Sequence, residues 1–325
     1  MTKTIEVRGF PHVYELTAPI DSAPVLVFVH GWLLSRAYWQ PIIQAIAPSY
    51  PCLSYDLRGF GRSQASLLTD AASQIALKKR SPELISTATR SEGTVAILSK
   101  AEHSASSPIV SAELGYTPAA YAEDLVALLQ TLKISNAWLI GHSLGGSIAL
   151  WAADMAPHLV KGVICVNSGG GIYLKEEFEK FRNAGQQLVK FRPSWLRHVP
   201  FIDYALARLS VAKPIDQVWA RQRLHDLIAA HPEAALRTLL DSTTETEVHR
   251  LPQVVSRLQQ PVYFIAGAQD PIMEPKYVQH LASFHPSFEC CGKNVTEIDN
   301  CGHMAMVEQP DALVNHIQDI LAQHA

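Results

Sequence analysis

The sequence predicts an α/β fold with a mostly parallel sheet, helices on both faces and an inserted helical cap. Continuous apolar runs such as Val25–Val29 and Val160–Val166 alternate with stretches of helical periodicity, which is typical of parallel strands covered on both faces. In the segment 172–250, large apolar residues recur at helical spacing without a strand-like run. A third observation is a short apolar strand that runs into Gly141-His142-Ser143-Leu144-Gly145 and then into a helical pattern.

The composition is that of a globular chain of 325 residues, 48% hydrophobic and 18% charged, with a formal net charge of −3. At about 150 residues per domain, this is two domains or one large α/β domain with an insertion. The balanced charge indicates no nucleic-acid partner, and no apolar run approaches the length of a membrane helix. The first residues lack the apolar stretch of a secretory signal, so we expect a cytoplasmic protein.

The five cysteines are odd in number and scattered, which argues against a disulfide framework and favours a reducing compartment. Cys290, Cys291, Cys301 and His303 lie close together in the sequence, but their spacing matches no common zinc pattern. We therefore expect neither a metal nor a cofactor.

Strands are predicted where short apolar runs end in turn residues, and helices where apolar residues recur at helical spacing. The predicted strands are 12–16, Val25–Val29, Cys52–Tyr55, 137–140, Val160–Val166, 262–266 and Val295–Ile298. The predicted helices outside the cap are 38–47, 121–132, 146–156, Pro275–Ala282 and 311–322. This alternation predicts a core formed by residues 1–171 and 251–325, with the helical cap at 172–250.

An irregular insertion is predicted at about 64–115, where Ser, Ala and Thr dominate and aromatic residues are absent until Tyr116. No sustained period of either kind is present, which favours a surface insertion of weak structure or a disordered loop. A role as a lid over the site, or as a partner-binding segment, stays open.

Three residues that follow strands form the candidate catalytic set. Ser143 lies in the strand–turn–helix motif, and the flanking glycines permit the tight turn that an exposed nucleophile needs. His303 follows the last strand and is the candidate base, because a serine hydroxyl is a weak nucleophile without one. Asp270 follows another buried strand and is the candidate acid that orients His303. The acid could also lie at the end of the strand Val160–Val166. That position carries Asn167 instead of a carboxylate, which strengthens the assignment of Asp270 as the acid.

Backbone N–H groups are expected to hold the oxyanion of a tetrahedral intermediate. One is that of Leu144, directly after the nucleophile. The other is that of Trp32, on the loop after Val25–Val29, with Leu33 as the alternative. His30 on the same loop is interpreted as a residue that shapes the loop.

Together these motifs resemble the α/β-hydrolase superfamily. The resemblance implies the α/β-hydrolase fold, the order nucleophile, acid, base along the chain, and a structural turn at 56–63. The insertion departs from the pattern, because related enzymes connect there in fewer residues. The matching segments cover the chain from about residue 25 onwards and are Phe28-Val29-His30-Gly31-Trp32, Asp56-Leu57-Arg58-Gly59-Phe60-Gly61-Arg62-Ser63, Gly141-His142-Ser143-Leu144-Gly145-Gly146, Gly267-Ala268-Gln269-Asp270 and Gly302-His303.

Ser143 argues against haloalkane dehalogenases and epoxide hydrolases, which are similar in layout but use Asp at this turn. The chain is similar to small carboxylesterases, C–C bond hydrolases and cofactor-free perhydrolases, and no motif separates these groups. We expect a serine hydrolase that cleaves a small-molecule carboxylic ester through an acyl-enzyme on Ser143. Phe178, Trp195 and Trp219 of the cap are candidate contacts for an apolar acyl or aryl substrate.

Two alternatives remain open. A C–C bond hydrolase or lyase, or a perhydrolase, would use the same triad, and a keto-acid substrate would need cations such as Arg58, Arg62 and Arg182. A non-catalytic binding module would be marked by a broken triad, whereas all three triad residues are present here.

Overall fold

An eight-stranded sheet forms the centre of the computed structural model, which describes residues 1–18, 24–64, 115–171, 175–289 and 292–324. The order across the sheet is β1-β2-β4-β3-β5-β6-β7-β8. The pairs β1–β2 and β2–β4 are antiparallel, and all pairs from β4 to β8 are parallel, so the predicted mostly parallel sheet is confirmed. The strands are β1 Thr2–Val7, β2 Phe10–Leu16, β3 Val25–Val29, β4 Cys52–Tyr55, β5 Ala137–His142, β6 Val160–Val166, β7 Val262–Gly267 and β8 Val295–Ile298.

Helices cover both faces of the sheet because successive strand residues point to opposite sides. Val27 and Val29 of β3 pack in the core cluster that contains α2 and α3, whereas Leu26 and Phe28 pack in the cluster that contains α1 and α11. The helices are α1 Gln40–Ile46, α2 Pro118–Thr131, α3 Leu144–Met155, α4 Lys175–Lys190, α5 Ile202–Arg208, α6 Gln217–Ala229, α7 Pro232–Ser242, α8 Glu245–Arg257, α9 Pro275–Ala282, α10 Ala305–Glu308 and α11 Pro310–Ala322.

The predicted elements agree closely with those of the structure where strands are buried. Strand β6, strand β8 and helix α9 have the predicted bounds. Strand β1 escapes the sequence pattern because it lies at the edge of the sheet with mostly exposed side chains. The predicted insertion, apart from its end residues, and Cys290 and Cys291 lie outside the described residues.

Between β6 and β7 the described chain contains the helices α4 to α8 in succession and no strand. The predicted cap boundary at residue 250 lies inside α8, which runs without interruption from Glu245 to Arg257. The division into core and cap therefore stays a prediction, to which the structure adds the helix that joins the two parts.

A buried ion pair fixes the loop after β4 to α2. Arg58 Nε donates to Asp124 Oδ2 at 2.8 Å, and the two side chains are 3% and 2% exposed. Arg58 also donates to the Gly115 carbonyl, and its guanidinium lies over the rings of Tyr116 and Tyr121. A buried charge that loses its ionic partner is costly, because its low-dielectric surroundings cannot replace the lost interaction.

We predict that Asp124→Asn lowers the free energy of unfolding by about 3–5 kcal/mol, because Arg58 would keep its charge in a buried position. Asp154→Asn is the matched control, since Asp154 pairs with an Arg257 whose side chain is 52% exposed. For such an exposed pair we expect a loss of less than about 1 kcal/mol. Urea unfolding of both variants measures the difference between their free energies of unfolding. Equal losses would contradict the conclusion that Arg58 depends on Asp124 for a buried ion pair.

Candidate active site

Ser143 lies at the turn between β5 and α3 in a conformation that few non-glycine residues adopt. Its φ and ψ are 52° and −120°, and its N–H donates to the Val166 carbonyl at 2.9 Å. A Cβ on Gly145 would overlap the Val29 carbonyl, and one on Gly141 would overlap Gly145. The small residues therefore allow the close backbone contact that holds the serine in a strained turn.

The loop after β3 passes directly beside this turn. A Cβ on Gly31 would lie 2.8 Å from His142 Nδ1 and 3.1 Å from Ser143 Cβ, so only glycine fits there. The next residue, Trp32, is fixed from the other side, because its indole Nε1 donates to the Ala235 carbonyl at 2.9 Å. The loop thus brings the backbone of Trp32 next to the candidate nucleophile.

The two N–H groups predicted for the oxyanion hole lie at this junction. Trp32, Leu33 and Leu144 all line the same cavity as Ser143. Within the described chain, neither the Trp32 nor the Leu144 N–H donates to a carbonyl or a side chain. Both donors are therefore available to a ligand, as the prediction requires.

Asp270 and His303 form a tightly held pair. His303 Nδ1 lies 2.7 Å from Asp270 Oδ2, and both residues are buried. Asp270 Oδ1 accepts the N–H groups of Ile272 and Met273 at 2.8 and 2.9 Å. These bonds fix the carboxylate, and the carboxylate in turn fixes the ring of His303, whose other nitrogen is left for a reacting group.

Asn167 contributes to this pair in a way that sequence reasoning missed. It follows β6 with φ 49°, and its N–H donates to the Ile265 carbonyl at 2.8 Å. Its side-chain Nδ2 donates to Asp270 Oδ2 at 2.8 Å and to the Gly302 carbonyl at 3.1 Å. In the sequence this role is indicated only by a polar residue at the end of a strand. The sequence analysis uses Asn167 as a position that lacks a carboxylate and assigns it no contact with Asp270.

Ser143 and His303 line one cavity of about 510 Å³. Its walls are mostly apolar and are contributed largely by helices between β6 and β7. Phe178 of the predicted contacts lies in this wall, beside Phe181 of the same helix. The other apolar lining residues include Leu188, Leu206, Leu209, Leu239, Leu251 and Met273.

The other predicted contacts lie elsewhere. Trp195 is 53% exposed and packs against the ring of Phe191 at 6.4 Å, while Trp219 packs against Tyr38 at 5.7 Å. Neither is among the residues that line the cavity. Aromatic character alone does not indicate which side of a helix faces the site, so Phe178 and Phe181 replace these two tryptophans as candidates.

The predicted cations are also not in the cavity lining. Arg58 is held by Asp124, and Arg182 donates to the Leu240 and Thr243 carbonyls. Arg62 is exposed. The charged residues that do line the cavity are Arg223 of α6 and Glu247 of α8, which sequence reasoning did not single out.

Arg223 forms no ion pair in the described part of the chain, although Asp226 is near enough to stabilise its charge. Its Nη1 contacts Met304 Sδ at 3.7 Å, and its buried Nε has no hydrogen-bond partner in the described structure. The carboxylate of Asp226 on the same helix accepts instead from Ser35 and Gln222, at 2.7 and 2.9 Å. Burial lowers the pKa of the Arg223 guanidinium.

Glu247 is similarly buried, and burial raises the pKa of its carboxyl. Its Oε1 lies 3.8 Å from Arg250 Nη1, and its buried Oε2 has no hydrogen-bond partner in the described part of the chain. The cavity thus combines apolar walls with one cation and one acid.

No group of three or more His, Cys, Asp or Glu residues that could hold a metal is present among the residues described. Cys52, Cys165 and Cys301 are free and buried, and burial raises the pKa of each thiol. No helix in the described ranges is long and apolar enough to cross a membrane.

Comparison with known proteins identifies the family. A family model described as "alpha/beta hydrolase fold" matches residues 24–310. The chain belongs to the α/β-hydrolase family. The resemblance inferred from the sequence motifs is thereby confirmed, and hydrolase activity is the function that this membership supports.

Individual relatives are distant. The chain is 22% identical to the uncharacterized hydrolase YugF of Bacillus subtilis over 309 residues, 91% of this chain and 89% of YugF. It is 25% identical over 170 residues, 52% of its length, to the chloroplastic protein PHYLLO of Arabidopsis thaliana, of which it covers 8%. A thermophilic esterase from Thermogutta terrifontis superposes with a TM-score of 0.67 at 18% identity, with 99% of this chain and 98% of that chain covered.

Two histidines flank the site of this α/β hydrolase and are held neutral by burial. His30 Nε2 accepts the Leu57 N–H at 2.9 Å, so its proton is on Nδ1, which donates to the Gly31 carbonyl. His142 Nε2 donates to the His303 carbonyl at 2.7 Å. Burial lowers the pKa of His30, and burial with the nearby His303 lowers the pKa of His142 well below its usual value.

We predict that the α/β hydrolase loses stability as the pH falls below about 6.5, the usual histidine pKa. There the unfolded chain binds protons that buried His30 and His142 do not bind, so unfolding becomes favoured. Each such histidine contributes a slope of about 1.4 kcal/mol per pH unit, down to its lowered folded-state pKa.

Urea unfolding at several pH values between 5 and 8 measures this slope. His142→Gln, which removes one of the two groups, should reduce the slope, and His158→Gln at an exposed position is the control. An unchanged slope in a folded His142→Gln variant would show that His142 is not held neutral.

Proposed function

We propose that the protein is a serine hydrolase that cleaves a carboxylic ester through an acyl-enzyme on Ser143. The observation that carries this proposal is the 2.7 Å contact between His303 and Asp270 at the cavity that Ser143 lines. A histidine oriented by a carboxylate can take a proton from a serine hydroxyl and return it to a leaving group. The strained turn at Ser143 supports the same role, because it exposes the hydroxyl at the end of a strand.

In the first half-reaction Ser143 Oγ forms a bond to the ester carbonyl carbon, and its proton moves to His303 Nε2. The carbonyl oxygen becomes an oxyanion, which the N–H groups of Trp32 and Leu144 stabilise. These donors act mainly on charge that develops in the transition state, which is how they accelerate the reaction. The intermediate collapses, the C–O bond to the alcohol breaks, and His303 donates its proton to the leaving oxygen.

In the second half-reaction water takes the place of the alcohol. His303 accepts a proton from the water as the water oxygen attacks the acyl carbon. Collapse of the second intermediate returns the proton to Ser143 and releases the acid. Asp270 stays ionised throughout and stabilises the imidazolium of His303, with its geometry held by Asn167.

The walls of the cavity support an apolar acyl or aryl group as the part of the substrate next to the ester. Phe178, Phe181 and Leu188 all belong to α4, inside the predicted cap. We infer that residues 172–250 act as a cap that sets substrate choice, while the triad and the oxyanion donors belong to the core. A pocket of this size and character binds small apolar ligands.

We predict that Ser143→Ala lowers kcat for p-nitrophenyl butyrate by at least about 10⁴-fold, because the nucleophile is lost. A fluorophosphonate probe should label the parent on Ser143 and leave Ser143→Ala unlabelled. Ser242→Ala is the matched control, since Ser242 lines the same cavity and its hydroxyl donates to the Leu239 carbonyl. If folded Ser143→Ala retains the parental rate, the acyl-enzyme proposal fails.

A second candidate is favoured by Arg223. A partly buried guanidinium that forms no ion pair with the described residues can bind a carboxylate of the substrate through two parallel hydrogen bonds. This supports the alternative in which the same triad acts on a keto-acid by C–C bond cleavage. It is equally compatible with an ester whose acyl chain ends in a carboxylate.

We predict that Arg223→Met lowers kcat/KM for a p-nitrophenyl ester of a dicarboxylic acid by about 10–100-fold, because a bond to a charged group is lost. The methyl-capped form of the same ester should be hydrolysed at nearly the parental rate. Arg221→Met, on the same helix but exposed, is the control. If both esters change equally, Arg223 does not select a carboxylate.

A further inference from the structure

Apart from the cavity of the candidate active site, the segment that leads from α4 to α6 has a surface that exposes an unusual number of large apolar side chains. We call it the aromatic cap surface. Monomeric soluble proteins rarely expose many such residues together, and a cluster of them marks a contact site. Its members, with their exposed fractions, are Phe191 66%, Trp195 53%, Val199 36%, Phe201 79%, Tyr204 38% and Leu209 66%.

One ring contact and one shared groove bring four of these residues together in pairs. The rings of Phe191 and Trp195 meet edge to face at 6.4 Å. Val199 and Phe201 line a groove of about 700 Å³, which Leu224 and Ile228 of α6 also line. Tyr204 lies in the first turn of α5, three residues after Phe201.

Phe201 is held in this exposed position by a strained backbone. It precedes α5 with φ 61° and ψ 2°, in the left-handed region that bulky residues rarely occupy. An aromatic side chain that is 79% exposed in such a conformation does not contribute to the core. Strain of this kind is more often retained for a function outside the fold.

The charges around the aromatic cap surface are mostly positive. The segment 190–221 contains six Lys and Arg residues against two Asp, a net charge of +4 in a chain of net charge −3. Arg197, His198, Arg221 and His225 line the groove together with a single acid, Asp203. No Asp or Glu of the described chain pairs with Arg197, whose Nε donates to the Ser194 carbonyl.

We propose that the aromatic cap surface docks the protein on a lipid bilayer that carries anionic headgroups. Exposed Phe and Trp side chains gain by insertion at the boundary between headgroups and acyl chains. Nearby Lys and Arg side chains attract anionic lipids, and their apolar stems can lie along the bilayer while the charges stay in water. This inference goes beyond the hydrolytic activity and does not depend on it.

The position of Leu209 connects the proposed docking surface with the cavity of the candidate active site. Leu209 belongs to the aromatic cap surface, and it also lines the cavity that contains Ser143. An apolar ester that partitions into the bilayer would therefore meet a residue of the cavity wall on the docked side. Exposed aromatic residues and cations next to a residue of the cavity wall suit contact with a bilayer better than contact with water.

The test is sedimentation of the full chain with vesicles of phosphatidylcholine alone, and with vesicles of equal parts phosphatidylcholine and phosphatidylglycerol. We expect binding to the anionic vesicles, weaker binding at high salt because the charges are screened, and little binding to the neutral ones. Phe191→Ser with Phe201→Ser should weaken binding at least about tenfold. Arg197→Glu with Arg221→Glu should also weaken it. Phe284→Ser, 40% exposed outside the aromatic cap surface, is the control.

Each variant is checked for folding by circular dichroism and urea unfolding, while hydrolysis of a water-soluble ester and fluorophosphonate labelling report separately on the proposed function. The proposal is overturned if the parent does not bind anionic vesicles, or if the Phe191/Phe201 variant binds them as well as the parent. It is also overturned if light scattering shows a dimer that Phe201→Ser dissociates while vesicle binding is absent, because a second copy would then cover this surface.

Discussion

The close backbone contact between the turn after β5 and the loop after β3 is the constraint on which the site depends. A side chain at Gly145 would overlap the Val29 carbonyl, and one at Gly31 would press on Ser143. The candidate nucleophile and the predicted oxyanion donors are therefore positioned largely by main-chain packing. Such preorganisation is what electrostatic stabilisation of a transition state requires, because no further reorganisation is needed during the reaction.

The order of strands extends this constraint to the rest of the triad. Strands β5, β6, β7 and β8 are neighbours and run parallel, so their carboxyl ends meet at one edge. Asn167 stands between the strand of Ser143 and the strand of Asp270, and it binds both Asp270 and the Gly302 carbonyl. One amide thus connects three strand ends at the point where the candidate triad assembles.

An amide suits this position better than a carboxylate would. An aspartate at residue 167 would place a second negative charge within hydrogen-bond distance of Asp270. Like charges that close favour protonation of one of them, which would weaken the ionised partner that His303 needs. The neutral donor instead stabilises the charged form of Asp270, along with the N–H groups of Ile272 and Met273.

Much of this was predictable from the sequence, and the misses have physical causes. Strand β3 is buried on both faces and is a continuous apolar run, so its bounds could be predicted from the sequence, and three polar residues after strands gave the candidate triad. Edge strand β1 has little apolar pattern to detect. In the sequence, nothing distinguishes Arg223 and Glu247 from solvated charges on the outside of a helix. Only the tertiary packing shows that they line a cavity. Phe178 lines the cavity but Trp195 and Trp219 do not, because helical spacing does not indicate which face of a helix is turned towards the site.

The cap helices therefore have two chemically different sides, and α6 shows how one helix can serve both. Arg221 and Arg223 are two positions apart, which on a helix turns them to different faces. Arg223 lines the cavity, whereas Arg221 lines the outer groove and pairs only loosely with Asp203, at 3.8 Å. The proposed substrate selection and the proposed surface contact would thus use separate side chains on the same backbone. Since a change on one face leaves the other face's contacts in place, the two roles can vary independently while the core that carries the triad stays the same.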